Sequence, residues 1–235
     1  MIKKIVSFLI GVVLTVFLCF TFFKSPFKDN LNISIVETFL ESEVYVISAE
    51  YPQFNLVDDN FNKEIEKCVL ERIDSFKENA TSNWSARGEA YPAPLYFEAV
   101  WEPVQINKDY ISFVINVYSF EGGAHGNTEV YTFNYDIGKQ ERIDFKSFIN
   151  NSDEILNKVS EIAILEIEER VLENDDEFFR SVIAEGAGPE LKNYKNFTFT
   201  KNKLIIYFDK YQVAPGVFGI IKTEIYFDQI GVDKK

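Results

Sequence analysis

The chain has a single histidine, His125, placed four residues after Glu121 and four before Glu129, within the segment Glu121-Gly-Gly-Ala-His-Gly-Asn127. An imidazole between carboxylates is the residue set of a small metal or proton-transfer site. Such a site needs further groups converging from elsewhere, and one histidine beside hairpin carboxylates offers too few. The glycines suit a turn with positive φ, whose backbone the imidazole or the Asn127 amide can hydrogen-bond. No serine stands in a nucleophile elbow. The acidic run Glu166-Ile-Glu-Glu169 with Glu173, Asp175, Asp176 and Glu177 lacks the alternating oxygens and central glycine of a calcium loop, and reads as a solvated helix face. The residues therefore predict no enzyme, no catalytic group, no metal and no cofactor. Trp84, Tyr91, Tyr96 and Trp101 offer faces for stacking on sugar rings, although Trp101 alternates within a strand and suits a core.

Composition narrows the partners. The chain has 235 residues, a formal charge of −13, 23 Phe and 12 Tyr. Nucleic acid is excluded as a partner, because phosphate binding needs a basic face. A hydrophobic content of 46% supports a folded core. Two cysteines, Cys19 and Cys68, rule out a disulfide framework.

Residues Ile5 to Phe23 carry no charge. As a helix they would span about 30 Å, the thickness of a bilayer core. A cleaved signal peptide and a lipoprotein signal compete with an uncleaved anchor. Cleavage has only the pair Cys19 and Thr21 to use, and Leu18 is large for the residue before a lipoprotein cysteine. The anchor is favoured. The expected layout is a cytoplasmic tail at 1–4, a transmembrane anchor or signal at 5–23 and a stalk at 24–31. Everything beyond Phe23 is then extracytoplasmic, in a single-pass cell-membrane protein.

Beyond the stalk, Tyr45, Ile47, Ala49 and Tyr51 alternate as a strand, closed by Pro52. Asp58 or Asp59 caps a helix with Phe61, Ile65, Cys68, Val69, Ile73 and Phe76 on one face, reaching about Asn79. Residues 81–94 show no period and read as a loop. Phe97, Ala99 and Trp101 form another strand. Ile111, Phe113, Ile115 and Val117, then Tyr131, Phe133 and Tyr135, make a hairpin across the glycine-rich segment. A short helical piece at Phe145–Ile149 precedes a long helix capped by Ser152, with Ile155, Val159, Ile162, Ile167 and Val171 inward. Two strands, Leu204–Phe208 and Ile221–Phe227, close the chain. The fold class is α+β, as two small domains (32–107 and 108–230), each a helix packed on an antiparallel sheet.

At these residues the chain resembles a known domain pair. Val44 to Phe76, with Tyr51-Pro-Gln-Phe54 and Phe61-Asn-Lys-Glu-Ile-Glu-Lys67, resembles the domain preceding the catalytic part of PdaC-type peptidoglycan deacetylases. From Tyr110 onward it resembles the RsiV-like C-terminal domain, through Gly122-Gly-Ala-His-Gly-Asn127, Phe133-Asn-Tyr-Asp-Ile-Gly138 and Tyr211-Gln-Val-Ala-Pro-Gly216. The resemblance implies an extracytoplasmic sensor and binding module, as in membrane-anchored anti-sigma factors that bind lysozyme. Only about four residues precede the apolar segment, and no deacetylase domain is read, so neither the anti-sigma role nor the deacetylase activity is expected. The implied contacts are the Ala214–Gly219 loop and the Glu121–Asn127 hairpin, with Glu121, His125, Asn127, Tyr211, Pro215 and Phe218 as ligand-binding candidates. The family often has an aromatic directly after the proline; here Gly216 stands there, with Phe218 two residues on. The expected function is a non-enzymatic envelope module for a cationic protein such as lysozyme, drawn by the acidic surface. The alternative is a peptidoglycan-binding accessory domain.

Overall fold

A computed structural model describes residues 21–23, 31–87, 94–172 and 177–233. Most of the expected anchor and stalk therefore lies outside the described residues. Thr21–Phe23 form a short strand, β1. Among the described residues no helix is long and apolar enough to cross a membrane.

The first layer is a seven-stranded sheet whose strands follow chain order. After β1 come β2 (Ile33–Glu41), β3 (Tyr45–Phe54), β4 (Leu95–Ile106), β5 (Tyr110–Phe120), β6 (Asn127–Asp136) and β7 (Glu141–Arg142). Helix α1 (Asp59–Arg87) lies across one face. Its stripe at spacings of four, four, four, three and four buries Phe61, Ile65, Val69, Ile73, Phe76 and Ala80 against the sheet. Each of the five larger side chains contributes about 1.5–3 kcal/mol relative to exposure. Asp58 caps the helix by accepting from the N–H groups of Asn60 and Phe61 at 2.7 and 3.1 Å. Cys68 sits at the edge of this stripe, and burial pushes its thiol up to about 11.

Four features of this layer differ from the sequence reading. The nine-residue β2 was not expected, and Leu31, placed in the stalk, is buried. Helix α1 runs past Asn79 to Arg87, so Trp84 packs against the core from a helix and not from a loop. The sheet is not wholly antiparallel: β3 and β4 pair parallel, Tyr45 opposite Leu95, because the helical crossover brings the chain back to the same end. The domain boundary expected at 107/108 falls in the turn of the β4–β5 hairpin. Those strands pair from Tyr96–Phe120 to Ile106–Ile111, so the first layer continues to Arg142.

The second layer is a three-stranded sheet of β8 (Phe197–Phe199), β9 (Lys203–Phe208) and β10 (Ile221–Tyr226), in the order β10-β9-β8. It packs with α2 (Phe145–Phe148), α3 (Asp153–Val171), α4 (Glu177–Gly186) and α5 (Phe227–Ile230). Ser152 caps α3 as expected, its hydroxyl accepting from the Ile155 N–H. Helix α4 and strand β8 were not anticipated. The short β8 offers only three residues, too few for a period.

A buried polar seam joins the layers. Ser112 on β5 and Thr132 and Asn134 on β6 point away from α1 and meet the free edge of β8. The Phe197 N–H donates to Thr132 Oγ1 (3.1 Å) and the Phe199 N–H to Ser112 Oγ (3.0 Å). Asn134 Nδ2 donates to the Phe197 carbonyl (2.7 Å), and Ser112 Oγ donates to Asn134 Oδ1 (2.7 Å). Side chains thus satisfy an edge that would otherwise carry unpaired buried groups.

Candidate ligand-binding groove

The hairpin turn between β5 and β6 begins with Gly122 at φ 86°. Tyr118 closes over Gly126 so tightly that any Cβ there would run into the ring. Glu121 holds the turn to α1, its carbonyl accepting from Asn83 Nδ2 at 3.0 Å. His125 is exposed, with Nδ1 3.1 Å from the Gly126 carbonyl oxygen. Glu121, His125 and Asn127 line one shallow depression of about 350 Å³ together with Asn83, Ser119 and Gly123.

Asn127 also belongs to a second space. A groove of about 370 Å³ runs between residues 127–131 of β6 and a wall made by Lys195, Asn196 and residues 209–211. Gln212 builds that wall. Its amide nitrogen donates to the Gly186 and Asn193 carbonyls (2.8 and 3.0 Å), and its amide oxygen accepts from the Asp209 N–H (3.0 Å). Gly186 is required there, because a Cβ would strike the Gln212 carbonyl. Tyr211 takes φ 70°, a conformation rare outside glycine, and projects its ring 64% exposed at the rim. Gly216 lets the chain pass directly against that ring.

Both charge signs line the groove. Lys195 Nζ lies 2.7 Å from Asp209 Oδ2, and Asn196 donates to Asp209 Oδ1 at 3.1 Å. Tyr131 donates to Glu129 at 2.9 Å, and Arg72 approaches the same carboxylate at 3.9 Å. Burial, reinforced by that bond and the carboxylate charge, pushes the Tyr131 phenol well above its ordinary range, so it stays a donor. Lys210 Nζ stands 5.3 Å from the Tyr211 ring centroid. Amides, hydroxyls, a cation and an exposed aromatic in an open groove can hold a polar ligand with a flat apolar face.

Of the six candidates, Asn127 and Tyr211 meet across this groove although they are 84 positions apart. Glu121 and His125 lie in the neighbouring depression. Pro215 and Phe218 are in neither space. They sit on a tip beyond Tyr211, where the Phe218 N–H donates to the Pro215 carbonyl at 3.0 Å and Val217 is 89% exposed. Sequence reasoning missed Lys195, Asn196, Asp209 and Lys210. Their only signal was proximity to the Tyr211 motif or to the start of a strand. Trp101 packs edge-on to Phe113 at 6.0 Å, and Tyr91 lies outside the described residues.

Residues 40–128 match the family described as deacetylase PdaC, and residues 146–228 match a protein family of unknown function, DUF3298. The first match runs through the 107/108 position, in agreement with the sheet. A peptidoglycan-N-acetylmuramic acid deacetylase, PdaC, of Bacillus subtilis is 27% identical over 191 residues, or 80% of this chain. The chain spans 38% of that relative's length. A DUF3298-family crystal structure from Bacteroides fragilis shares the fold with a TM-score of 0.62 at 12% identity, covering 88% of this chain and 94% of its own. A second, from Pseudomonas aeruginosa, does so at 0.58 and 13%, covering 88% and 95%. The expectation of a non-enzymatic protein is overturned by the name of that relative, a deacetylase. The second segment carries the DUF3298 description, which does not confirm the RsiV-like label.

Proposed function

From a chain that joins a PdaC segment to a DUF3298 segment in tandem, we propose a peptidoglycan-associated extracytoplasmic module of the bacterial envelope. The β6–Tyr211 groove is its contact with the wall polymer. The relative's named substrate, N-acetylmuramic acid in peptidoglycan, supports that polymer as the ligand. The observation that carries the reading is the exposed Tyr211 ring held at a strained φ beside Lys210 and opposite the amide of Asn127. Strained backbone kept in place by a dedicated clamp, here Gln212, is a mark of sites that present a side chain to a ligand. The apolar segment at 5–23 would hold the module at the membrane. Full-length protein in mild detergent should sediment with purified sacculi, and Tyr211→Ala should leave most of it in the supernatant. Equal sedimentation of both proteins would remove the groove from the site.

A second reading rests on the tip. Val217 and Phe218, 89% and 45% exposed, form an apolar point on a chain of formal charge −13. A cationic protein such as lysozyme fits that combination. Salt-sensitive retention of hen lysozyme, lost in a Pro215→Ala and Phe218→Ala double variant, is the expected result. Retention that the double variant leaves intact would exclude the tip.

A further inference from the structure

Strand β6 pairs with β5 along its whole length, but with β7 only at Tyr135 and Asp136. Its even-numbered residues turn their backbone groups away from β5. The Asn134 carbonyl accepts from the Ile143 N–H at 2.9 Å, and the Thr132 carbonyl from the Arg142 guanidinium at 3.2 Å. Thr128 and Val130 follow in the same phase. Among the described residues no hydrogen bond reaches their outward N–H and C=O groups, and both residues line the groove. Thr128 is exposed and Val130 is 3% exposed, so the edge is open to another strand chiefly at Thr128. The donors and acceptors of the edge recur every two residues, about 6.8 Å, a spacing that an extended peptide matches group for group.

Lys210, on the opposite wall, makes no ion pair among the described residues. Lys63, Lys108, Lys146 and Lys201 also make no ion pair among the described residues, but Lys210 stands at the groove rim beside the exposed Tyr211 ring. Its complement is a carboxylate. We propose that the groove takes the peptide stem of peptidoglycan, laid as a short extended segment along β6 at Thr128 and Val130, with a stem carboxylate on Lys210. This inference rests on the peptidoglycan reading above and narrows it from the polymer to its peptide part.

The test is calorimetric titration of the full-length protein with three soluble probes. These are a muropeptide, the same glycan stripped of peptide, and an all-L acidic peptide of the stem's length. The muropeptide should bind at least about tenfold more tightly than the stripped glycan, the loss expected when two or more backbone hydrogen bonds go unmade. Thr128→Pro removes one outward N–H while leaving every β5–β6 bond in place, and should weaken muropeptide binding about fivefold to tenfold with the thermal midpoint unchanged. Lys210→Met keeps the aliphatic stem, loses the charge, and gives an independent weakening of similar size should the proline variant misfold. If stripped glycan binds as tightly as muropeptide and both variants are silent, the inference falls while the peptidoglycan reading stands. If neither wall probe binds, both fall. Tighter binding of the all-L peptide would assign the edge to a protein strand and overturn the stem assignment.

Discussion

The β5–β6 hairpin is buried on both faces, and the two faces are held by different forces. Toward α1 it presents Phe113, Ile115, Phe133 and Tyr135, with Phe113 and Phe133 stacked at 5.1 Å and 13°. Toward the second sheet it presents Ser112, Thr132 and Asn134, flanked by Val114 and Val130 against Tyr207. The first face is non-directional and tolerates sliding. The second matches particular atoms on β8, so it fixes the register between the layers. That register sets the groove, because β6 supplies one wall and the Lys195–Asn196 and Asp209–Tyr211 segments, flanking β8 and β9, supply the other.

Phe113→Ala tests the apolar face and should have the largest effect. The ring is fully buried among Phe54, Trp101 and Phe133. Truncation should cost about 3–5 kcal/mol in denaturant melts. A loss under about 1 kcal/mol would mean that this face is not the main source of cohesion. Asn134→Ala tests the polar face and should cost about 1–3 kcal/mol, because the Phe197 carbonyl is left buried without its donor. Combined with Ser112→Ala it should be non-additive by about 0.5 kcal/mol or more, since the two side chains share one network. Additive losses would dissolve the seam into independent contacts.

The smallest effect concerns acid. The Asp58 carboxyl is held below its ordinary range, first by the Tyr135 hydroxyl at 2.7 Å and then by the Asn60 and Phe61 N–H groups. Asp144 is lowered too, mainly by the Ser147 N–H it caps. A depressed folded pKa gives stability that is fully present above the ordinary carboxylate pKa and lost as pH falls through the folded value. Thermal midpoints should therefore fall on the acid side of the ordinary carboxylate range. Tyr135→Phe should shrink that fall by removing the main cause at Asp58. An acid slope identical in both proteins would show that the link from β6 to the α1 cap has no energetic weight.

The apolar face was legible in the sequence because each of its elements repeats. The α1 stripe, the alternation of Ile111, Phe113, Ile115 and Val117, and the Asp58 and Ser152 caps follow from period and capping chemistry alone. The polar face was not legible. Ser112, Thr132 and Asn134 occupy the positions that period two gives to solvent, and only the arrival of β8 makes them internal. Strand β2 escaped because Ile35 is the one residue along it that is buried. Within the groove, Asn127 and Tyr211 entered only through the family resemblance, on the two motifs that carry it. Lys195, Asn196, Asp209 and Lys210 carry no pattern, since loop residues that meet across a seam share no spacing along the chain.

Amide hydrogen exchange of the full-length protein, with and without a soluble muropeptide, tests the groove most directly. Added protection is expected at the outward amides of Thr128 and Val130 and in the Lys210–Tyr211 turn, with the Pro215–Phe218 tip unchanged. Protection confined to the tip, or to the depression around Glu121 and His125, would contradict that expectation.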